Sequence, residues 1–452
     1  MIPARFLRRL LLASLLGAAC LPALASPEGL EALDAAAKQE ITTAAATAVD
    51  GVLAGPRFYG RGTGQKGNEE AARWLASELR AAGLQPAPLE GVTPTGGPED
   101  FLQWFDVPAA RLNRAAKSRT ANVVGFLPGG PPPTKEGAPE FVVLGSHMDH
   151  LGFPGDVLKD GSPAKKNNVF WGADDNGSGS TANLLVARTL GRLARGGTKP
   201  RRAVVVIFFA AEELGLLGSK NYVEHPPFPL ADTVAMINID MVGRNATKYL
   251  EIYGNTSSPE LDVWNQEVLA ETKFECEYPN PELLYRSDQM NFLEKGIPAL
   301  FFFGGFHKDY HKQTDTVDKI NFPKIALVAR QALGVLWRAA DAEKRPAYLK
   351  VDMKGMGGRL GLVVGTCTPE DQEPLGLSEK AAAVRVNTVF AGGLGEKSFE
   401  VGDLIYAWNG FPLFADDPVG RFTAFLNAAR PGDSIVIRYA RGKERKAATV
   451  KF

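Results

Sequence analysis

The chain has 452 residues, of which 45% are hydrophobic and 23% are charged. This composition is typical of globular proteins, and the length is sufficient for two or three domains. Lys and Arg together number 51, as do Asp and Glu, so the formal net charge at pH 7 is zero. The balance argues against nucleic acid as a partner, because binding it requires a clustered basic surface.

The first 25 residues have the organisation of a secretory signal peptide. Three arginines precede the apolar stretch 10–19, and an Ala-x-Ala cleavage signal ends at Ala25. We therefore expect segment 1–25 to be removed and the mature protein to be exported, either to a periplasm or out of the cell. The alternatives are a transmembrane anchor, for which the apolar stretch is short, and a lipoprotein signal ending at Cys20. Beyond the signal, no membrane span is expected.

Residues 26–345 show the alternation expected of an α/β domain. The stretch "GNEEAARWLASELRAAGLQP" has the period of an amphipathic helix, which Gly83 should end. From residue 121, helical segments alternate with the apolar runs "ANVVGFL", "EFVVLGS", "AVVVIFFAA", "TVAMINI", "YLEIYG" and "PALFFFGG". Several runs are apolar at consecutive positions, which indicates strands covered on both faces. We predict a mostly parallel, doubly wound sheet flanked by helices, the last of which starts near Asn321.

Polar side chains recur where the apolar runs end. They are His147 and Asp149 after the second run, Glu212 and Glu213 after the third, Asp240 after the fourth, and Tyr310 and His311 shortly after the sixth. Ligands of open α/β sheets bind beyond the carboxyl ends of the strands, so neighbouring strands would bring these side chains together. Asp174 and Asp175 add two carboxylates just before a predicted helix, which Ser178 should cap.

The residue types in this set suit a zinc centre, because histidine nitrogens and carboxylate oxygens are ligands that zinc prefers. Two histidines and three carboxylates exceed the need of one ion. They fit a pair of metal ions about 3.5–4 Å apart that share one carboxylate. A His-x-Asp pair alone is more often a core or turn feature, so the prediction rests on the whole set.

The order of these motifs resembles that of the co-catalytic two-zinc aminopeptidases. The motifs are His-x-Asp, Gly-Ala-Asp-Asp-Asn-x-Ser-Gly, Glu-Glu, Asn-x-Asp-Met and Tyr-His-x-x-x-Asp-Thr. The resemblance covers about residues 55–342, and the wider family includes bacterial leucyl aminopeptidases, glutamate carboxypeptidase and the glutaminyl cyclases. It implies a zinc-peptidase fold with two zinc ions (Zn2+) per chain.

The resemblance also implies a ligand set. His147 and Asp240 would hold one zinc ion, Glu213 and His311 would hold the other, and Asp175 would bridge both. The cyclases lack the first histidine, so its presence in this chain favours peptide hydrolysis. The neighbouring His150 has no role in this scheme, because no ligand position remains for it.

Catalytic roles follow from the same resemblance. Glu212 would be the general base that takes a proton from the metal-bridging water and delivers it to the leaving amine. Asp149 would fix the tautomer and angle of His147. Tyr310 would polarise the substrate carbonyl, or would simply pack beside the site. Two further residues lie near the motifs: Arg244 could contact substrate or be solvated, and His307, like His225, is expected in a surface or loop position.

Residues 346–452 resemble a bacterial PDZ domain in the segments "GGRLGLVV", "VGDLIYAWNGFPL" and "ARPGDSIVIRYARGKE". The resemblance implies a small β-rich domain in which Leu360, Gly361 and Leu362 form a loop that binds the C-terminal carboxylate of a peptide. The alternative is a PDZ-like module that only packs on the catalytic domain.

Taken together, these observations predict an exported two-zinc aminopeptidase that acts on peptides with a free N-terminus. The alternatives within enzymes are a carboxypeptidase or dipeptidase of the same fold, and then a cyclase. The alternative outside enzymes is a non-catalytic protein that binds peptides through its PDZ domain.

Overall fold

The computed structural model describes residues 27–108, 112, 117–130, 139–155, 157–158, 160–165, 168–278, 284, 286–349, 360–372, 375–376, 381–389, 393–414, 418–429 and 433–452. The predicted signal peptide, including Cys20, lies outside these residues. In the described part of the chain, no helix is both long enough and apolar enough to cross a bilayer.

The larger of two sheets has nine strands among the described residues. They are β1 (Gln85–Pro86), β2 (Leu102–Asp106), β3 (Arg119–Leu127), β4 (Phe141–His147), β5 (Ala203–Phe209), β6 (Thr233–Asp240), β7 (Tyr249–Tyr253), β8 (Glu275–Glu277) and β9 (Ala299–Phe303). Each of the six apolar runs forms a strand, so their assignment from the sequence is confirmed.

The strand order is β1-β3-β5-β4-β6-β9-β7-β8, and β2 also pairs with β3. The central strands β5, β4, β6 and β9 are parallel neighbours, and β8 is parallel to β7. The other four pairings are antiparallel. The sheet is therefore mixed, and the prediction of a mostly parallel sheet is wrong. An apolar run indicates that both faces of a strand are covered. It does not determine whether the neighbouring strands are parallel or antiparallel to it.

Helices cover both faces of this sheet. They are α1 (Pro27–Glu40), α2 (Thr43–Leu53), α3 (Lys66–Ala82), α4 (Gly179–Arg195), α5 (Leu217–Glu224), α6 (Pro259–Thr272), α7 (Gln289–Glu294) and α8 (Phe322–Asp341). Helices α5 and α7 pack on one face, and the other six pack on the opposite face. Successive strand residues alternate between the two cores, as Val142 and Val143 do. This confirms an α/β domain with helices on both faces.

Helix ends follow local sequence in two of three predicted cases. Helix α3 ends at Gly83, whose φ of 91° is left-handed and suits glycine. The Asn321 side chain caps α8. At α4, however, Ser178 makes no capping hydrogen bond, because its hydroxyl donates to the main chain four residues earlier. The side chain of Asn176 accepts the N–H of Gly179 instead, at 2.9 Å.

The second sheet belongs to the C-terminal region and is antiparallel throughout. Its strands are β10 (Leu362–Thr366), β11 (Ala381–Ala382), β12 (Val384–Val389), β13 (Leu404–Trp408), β14 (Phe411–Phe414), β15 (Ser434–Arg441) and β16 (Glu444–Lys451), accompanied by helices α9 (Pro369–Gln372) and α10 (Pro418–Ala428). An apolar core of its own joins this sheet to α10. A small β-rich C-terminal unit is thus confirmed.

The segment Leu360-Gly361-Leu362 leads into β10. The side chains of Leu360 and Leu362 are buried in the C-terminal core. Gly361 has a φ of +71°, and a Cβ there would lie 2.6 Å from the Cα of Gly393, so this turn requires glycine. Within the described residues, β10 pairs on one side only, with β12.

Candidate metal centre

The predicted site residues converge at one edge of the larger sheet. His147 is the last residue of β4 and Asp240 is the last residue of β6. The Glu212–Glu213 pair follows β5, and His311 lies in the loop after β9. Because these four strands are adjacent and parallel, their carboxyl ends meet, as expected for a ligand site in an α/β sheet.

A pocket of about 390 Å³, open to solvent, lies at this edge. Half of its lining residues can ligate a metal, namely His147, Asp175, Glu212, Glu213, Asp240 and His311. The others, called the apolar wall because most are apolar, are Met241, Arg286, Phe301, Phe303, Phe306 and Tyr310. The pocket therefore combines an apolar wall with a cluster of metal-ligating side chains.

Around His147, three carboxylates approach one ring nitrogen. His147 Nε2 lies 3.2 Å from Asp240 Oδ1, 3.5 Å from Asp175 Oδ1 and 3.9 Å from Glu212 Oε2. Ligand atoms of His147, Glu212 and Asp240 all lie within 4.8 Å of one another. Geometry alone thus allows either Asp175 or Glu212 to join His147 and Asp240 around an ion.

Around His311, the two nearest carboxylates are Asp175 and Glu213. His311 Nε2 lies 3.1 Å from Asp175 Oδ2 and 3.1 Å from Glu213 Oε2. The two oxygens of Asp175 therefore face different histidines, Oδ1 toward His147 and Oδ2 toward His311. This is the arrangement that a bridging carboxylate requires.

The donor set fits zinc. Two ligand atoms that are each 2.0–2.1 Å from a tetrahedral zinc lie about 3.3 Å apart. The contacts of His147 with Asp240 and of His311 with its two carboxylates are close to this spacing. In addition, the side chains of Asp175, Glu212, Glu213 and Asp240 are at most 11% exposed. So many buried carboxylates require compensating positive charge.

Protons provide part of that charge in the metal-free protein. Burial would lower the pKa of His147, but Asp240 and Glu212 outweigh it and raise this pKa well above its usual value. Burial also opposes protonation of His311, yet Glu213 raises its pKa to about 10. Conversely, burial raises the pKa of Glu212 well above its usual value. Because a metal ion displaces protons from its ligands, metal binding at this site should release them.

Asp149 contacts both the first histidine and the Glu-Glu segment. His147 Nδ1 lies 3.1 Å from the main-chain oxygen of Asp149 and 3.7 Å from its carboxylate. The carboxylate accepts the N–H of Glu212 at 3.1 Å and the hydroxyl of Thr63 at 2.9 Å. Asp149 therefore approaches His147 more closely through its backbone, and its side chain holds Glu212.

Tyr310 lies beside the second histidine. Its ring stacks on His311, with ring centroids 3.8 Å apart, and packs edge-on against Phe306. Burial raises the pKa of its hydroxyl well above the usual value. Tyr310 is thus packed in the pocket wall and also presents a protonated hydroxyl group.

A layer of buried charges lies beneath the site and was not anticipated from the sequence. The side chain of His307 is 5% exposed, and its Nε2 lies 3.0 Å from Asp174 Oδ2. His307 is in a loop, as expected, but its ring is buried rather than on the surface. Asp174 thus contacts His307, and the adjacent Asp175 contacts His311, which lies four residues further along the chain. No local sequence pattern identified the contact of His307 with Asp174, because the two residues are far apart in the chain.

Arg244 belongs to the same layer. Its side chain is 12% exposed, and Nη2 lies 2.8 Å from Asp309 Oδ2. It does not line the described pocket, and at this exposure it is not the solvated arginine considered as one alternative. Asp315, which is fully buried, accepts the N–H groups of Asp174 and Asp175 at 3.0 and 3.1 Å. These contacts tie the loop that carries His311 to the turn that carries Asp175.

Comparison with known proteins shows which proteins the segment that carries this site is similar to. Residues 122–336 match the family model described as peptidase family M28. "Aminopeptidase YwaD" of Bacillus subtilis (strain 168) is 28% identical over 252 residues, which are 54% of this chain and 50% of that protein. A "Probable leucine aminopeptidase" of Arthroderma otae is 30% identical over 210 residues, which are 45% of this chain and 55% of that protein.

The chain thus spans about half the length of these curated relatives. Among solved structures, the Legionella pneumophila LapA aminopeptidase has a TM-score of 0.52 at 20% identity, covering 71% of this chain and 77% of that chain. This likeness shows the fold. Residues 122–336 of this chain are therefore similar to peptidase family M28.

Proposed function

We propose that this chain is an exported, zinc-dependent aminopeptidase that removes N-terminal residues from peptides. The observation that carries the proposal is the position of Asp175, whose two oxygens face His147 and His311 at 3.5 and 3.1 Å. Each histidine also has a carboxylate of its own, Asp240 or Glu213. The match to the family model and the names of the curated relatives support the same activity.

Within this proposal, His147, Asp175 and Asp240 would hold one zinc ion, and Asp175, Glu213 and His311 would hold the other. When bound, two zinc ions would acidify a water molecule and polarise the scissile carbonyl. Glu212 remains as the base: it accepts a proton from the attacking water and returns it to the leaving amine. Its main-chain N–H is fixed by the Asp149 carboxylate.

The apolar wall of the pocket would receive the first side chain of the substrate. Phe301, Phe303 and Phe306 line it beside Tyr310. Burying an apolar side chain against these rings is favourable by about 25 cal/mol for each Å² removed from water. We therefore expect peptides that begin with a large apolar residue to be preferred. The Tyr310 hydroxyl would donate to the carbonyl oxygen of the same residue.

The proposal is tested with one short peptide that begins with leucine and with its N-acetylated twin. We expect cleavage of the free peptide only, loss of cleavage on chelation, and recovery when zinc is restored. Cleavage of both peptides would favour the carboxypeptidase alternative. In that case, amidation of the C-terminus of the peptide should prevent its cleavage. No cleavage of either peptide by protein loaded with two zinc ions would refute the peptidase proposal.

A second function is proposed for residues 346–452, namely binding of a peptide C-terminus in the manner of a PDZ domain. Two observations support it. Among the described strands, β10 pairs on one side only, and α10 packs next to β10. A peptide could add as a strand at that edge, with its carboxylate at Leu360, Gly361 and Leu362. Fluorescence titration with matched peptides that end in a free or an amidated carboxyl group tests this. Equal affinity for both would contradict carboxylate recognition.

A further inference from the structure

We propose that His150 is a positioning residue that leaves Glu213 only one oxygen to offer the metal centre. The inference rests on the two-metal centre of the proposed function. The side chain of His150 is fully buried, and its Nδ1 lies 2.7 Å from Glu213 Oε1. The other oxygen of Glu213, Oε2, faces His311 at 3.1 Å. One carboxylate thus meets two histidines, one through each oxygen.

The imidazole of His150 packs against Gly172, and Arg61 anchors the backbone on which both depend. Gly172 has a φ of +61° and lies against the ring, and a Cβ there would be 2.5 Å from Cγ of His150. The fully buried guanidinium of Arg61 donates to the main-chain oxygens of Met148 and Gly172, at 2.8 and 2.6 Å. Arg61 therefore fixes the chain next to the histidine and the glycine beneath its ring. A donor held in this way is already oriented before any metal binds.

Ligand atoms of His150, Asp175 and Glu213 also lie within 4.8 Å of one another, but the individual distances favour His150 as a hydrogen-bond donor over a metal ligand. Its contact of 2.7 Å with Glu213 is a hydrogen-bond length, and is shorter than the roughly 3.3 Å between two ligand atoms on one zinc. Its distance to Asp175 Oδ2 is 3.6 Å, too long for a hydrogen bond. Moreover, Nε2 has no hydrogen-bond partner among the described residues. The bond from Nδ1 to Glu213 is therefore the polar contact that defines the ring's position.

The consequence concerns how Glu213 binds. A free carboxylate can approach a metal ion through one oxygen or both. With Oε1 accepting a hydrogen bond from His150, only Oε2 remains for the ion that His311 shares. Groups that orient a metal ligand in this way typically contribute 10–100-fold to metal affinity or activity.

The test compares two variants of the full chain, stripped of metal and then titrated with Zn²⁺ and Co²⁺. His150→Leu keeps a similar volume and has no donor, whereas His150→Asn restores a donor near the position of Nδ1. We expect both variants to bind two ions. In the Leu variant, the dissociation constant of the more weakly held ion should rise about 10–100-fold. Its Co²⁺ visible absorption should weaken, because a Glu213 that binds through both oxygens raises the coordination number. The Asn variant should recover most of both changes.

Unchanged affinity and absorption in the Leu variant would overturn the proposal. Loss of one ion in both variants would also overturn it, because His150 would then be a ligand itself. If thermal denaturation shows that the Leu variant does not fold, the Asn variant decides: near-normal affinity supports positioning, and binding of a single ion refutes it. None of these titrations uses a peptide. Wild-type protein that binds two ions but cleaves nothing would therefore refute the aminopeptidase function alone.

Discussion

Replacing Glu212 by Gln tests whether the two adjacent glutamates have different roles, Glu212 as the general base and Glu213 as a metal ligand. Glu212 Oε2 lies 3.9 Å from His147 Nε2, which is too long for a hydrogen bond, so the amide removes no direct contact with that ring. The shape is kept, and the main-chain N–H still donates to Asp149. We therefore expect the free energy of unfolding to change by less than about 1 kcal/mol.

The effect on catalysis should be large, because an amide cannot accept and return a proton. General acid–base catalysis contributes typically 10²–10⁴-fold, so kcat should fall by about that factor, or about 3–5 kcal/mol in the activation barrier. The change should appear in kcat and not in KM. Initial rates on a peptide that begins with leucine measure both constants. Metal analysis of the same samples should still find two ions per chain.

Glu213→Gln is the matched control, since it makes the same chemical change one residue away. Glu213 Oε2 lies 3.1 Å from His311, and Oε1 accepts from His150, so this variant should bind one ion weakly or not at all. Glu212 also lies within ligand reach of His147 and Asp240. If Glu212→Gln loses an ion while Glu213→Gln does not, the two roles are reversed. A Glu212→Gln variant with undiminished kcat would refute the general-base role.

Three further predictions follow from the structure. Asp315→Ala leaves two buried main-chain N–H groups without an acceptor. It should therefore lower the free energy of unfolding, measured by urea titration, by about 2–6 kcal/mol. Asp315→Asn keeps an acceptor and should lower it much less. In the metal-free protein, Glu213 outweighs burial and raises the pKa of His311 to about 10. This pair therefore stabilises the fold fully below the unfolded value near 6.5, and the melting temperature should fall as pH rises toward 10. His311→Gln should reduce this slope and leave the part that the raised pKa of His147 contributes. Phe306 lines the pocket and is 44% exposed, so Phe306→Ala should raise KM several-fold for peptides that begin with leucine but not for peptides that begin with glycine. Phe411 is 63% exposed and does not line the pocket, so Phe411→Ala should leave KM for both kinds of peptide unchanged.

Much of the fold was readable from the sequence because it depends on neighbours along the chain. Consecutive apolar residues identified all six of the runs assigned as strands, and Gly83 and Asn321 marked helix ends. The polar residues of the site were found for a related reason. A carboxylate or histidine that directly follows a buried strand is unusual unless it is used. The rule that parallel strands present their carboxyl ends together then predicted that these residues converge.

The direction of the outer strands depended on tertiary structure. Both parallel and antiparallel neighbours bury a strand such as β3, so its composition is compatible with either pairing. The cap of α4 shows the same limit at a smaller scale. Ser178 had the right residue type, but its hydroxyl donates to Asp174, which is itself held by distant parts of the chain.

The sequence by itself determined which residue types stand at the ends of the central strands, and therefore the chemistry that the site can hold. Only the tertiary structure decided what each side chain touches. It directed the carboxylate of Asp149 to Glu212, the ring of His307 to Asp174, and the ring of His150 to Glu213. These partners lie between 63 and 133 residues apart. Contacts at such separations depend on the packing of whole strands and loops, and no local pattern encodes them.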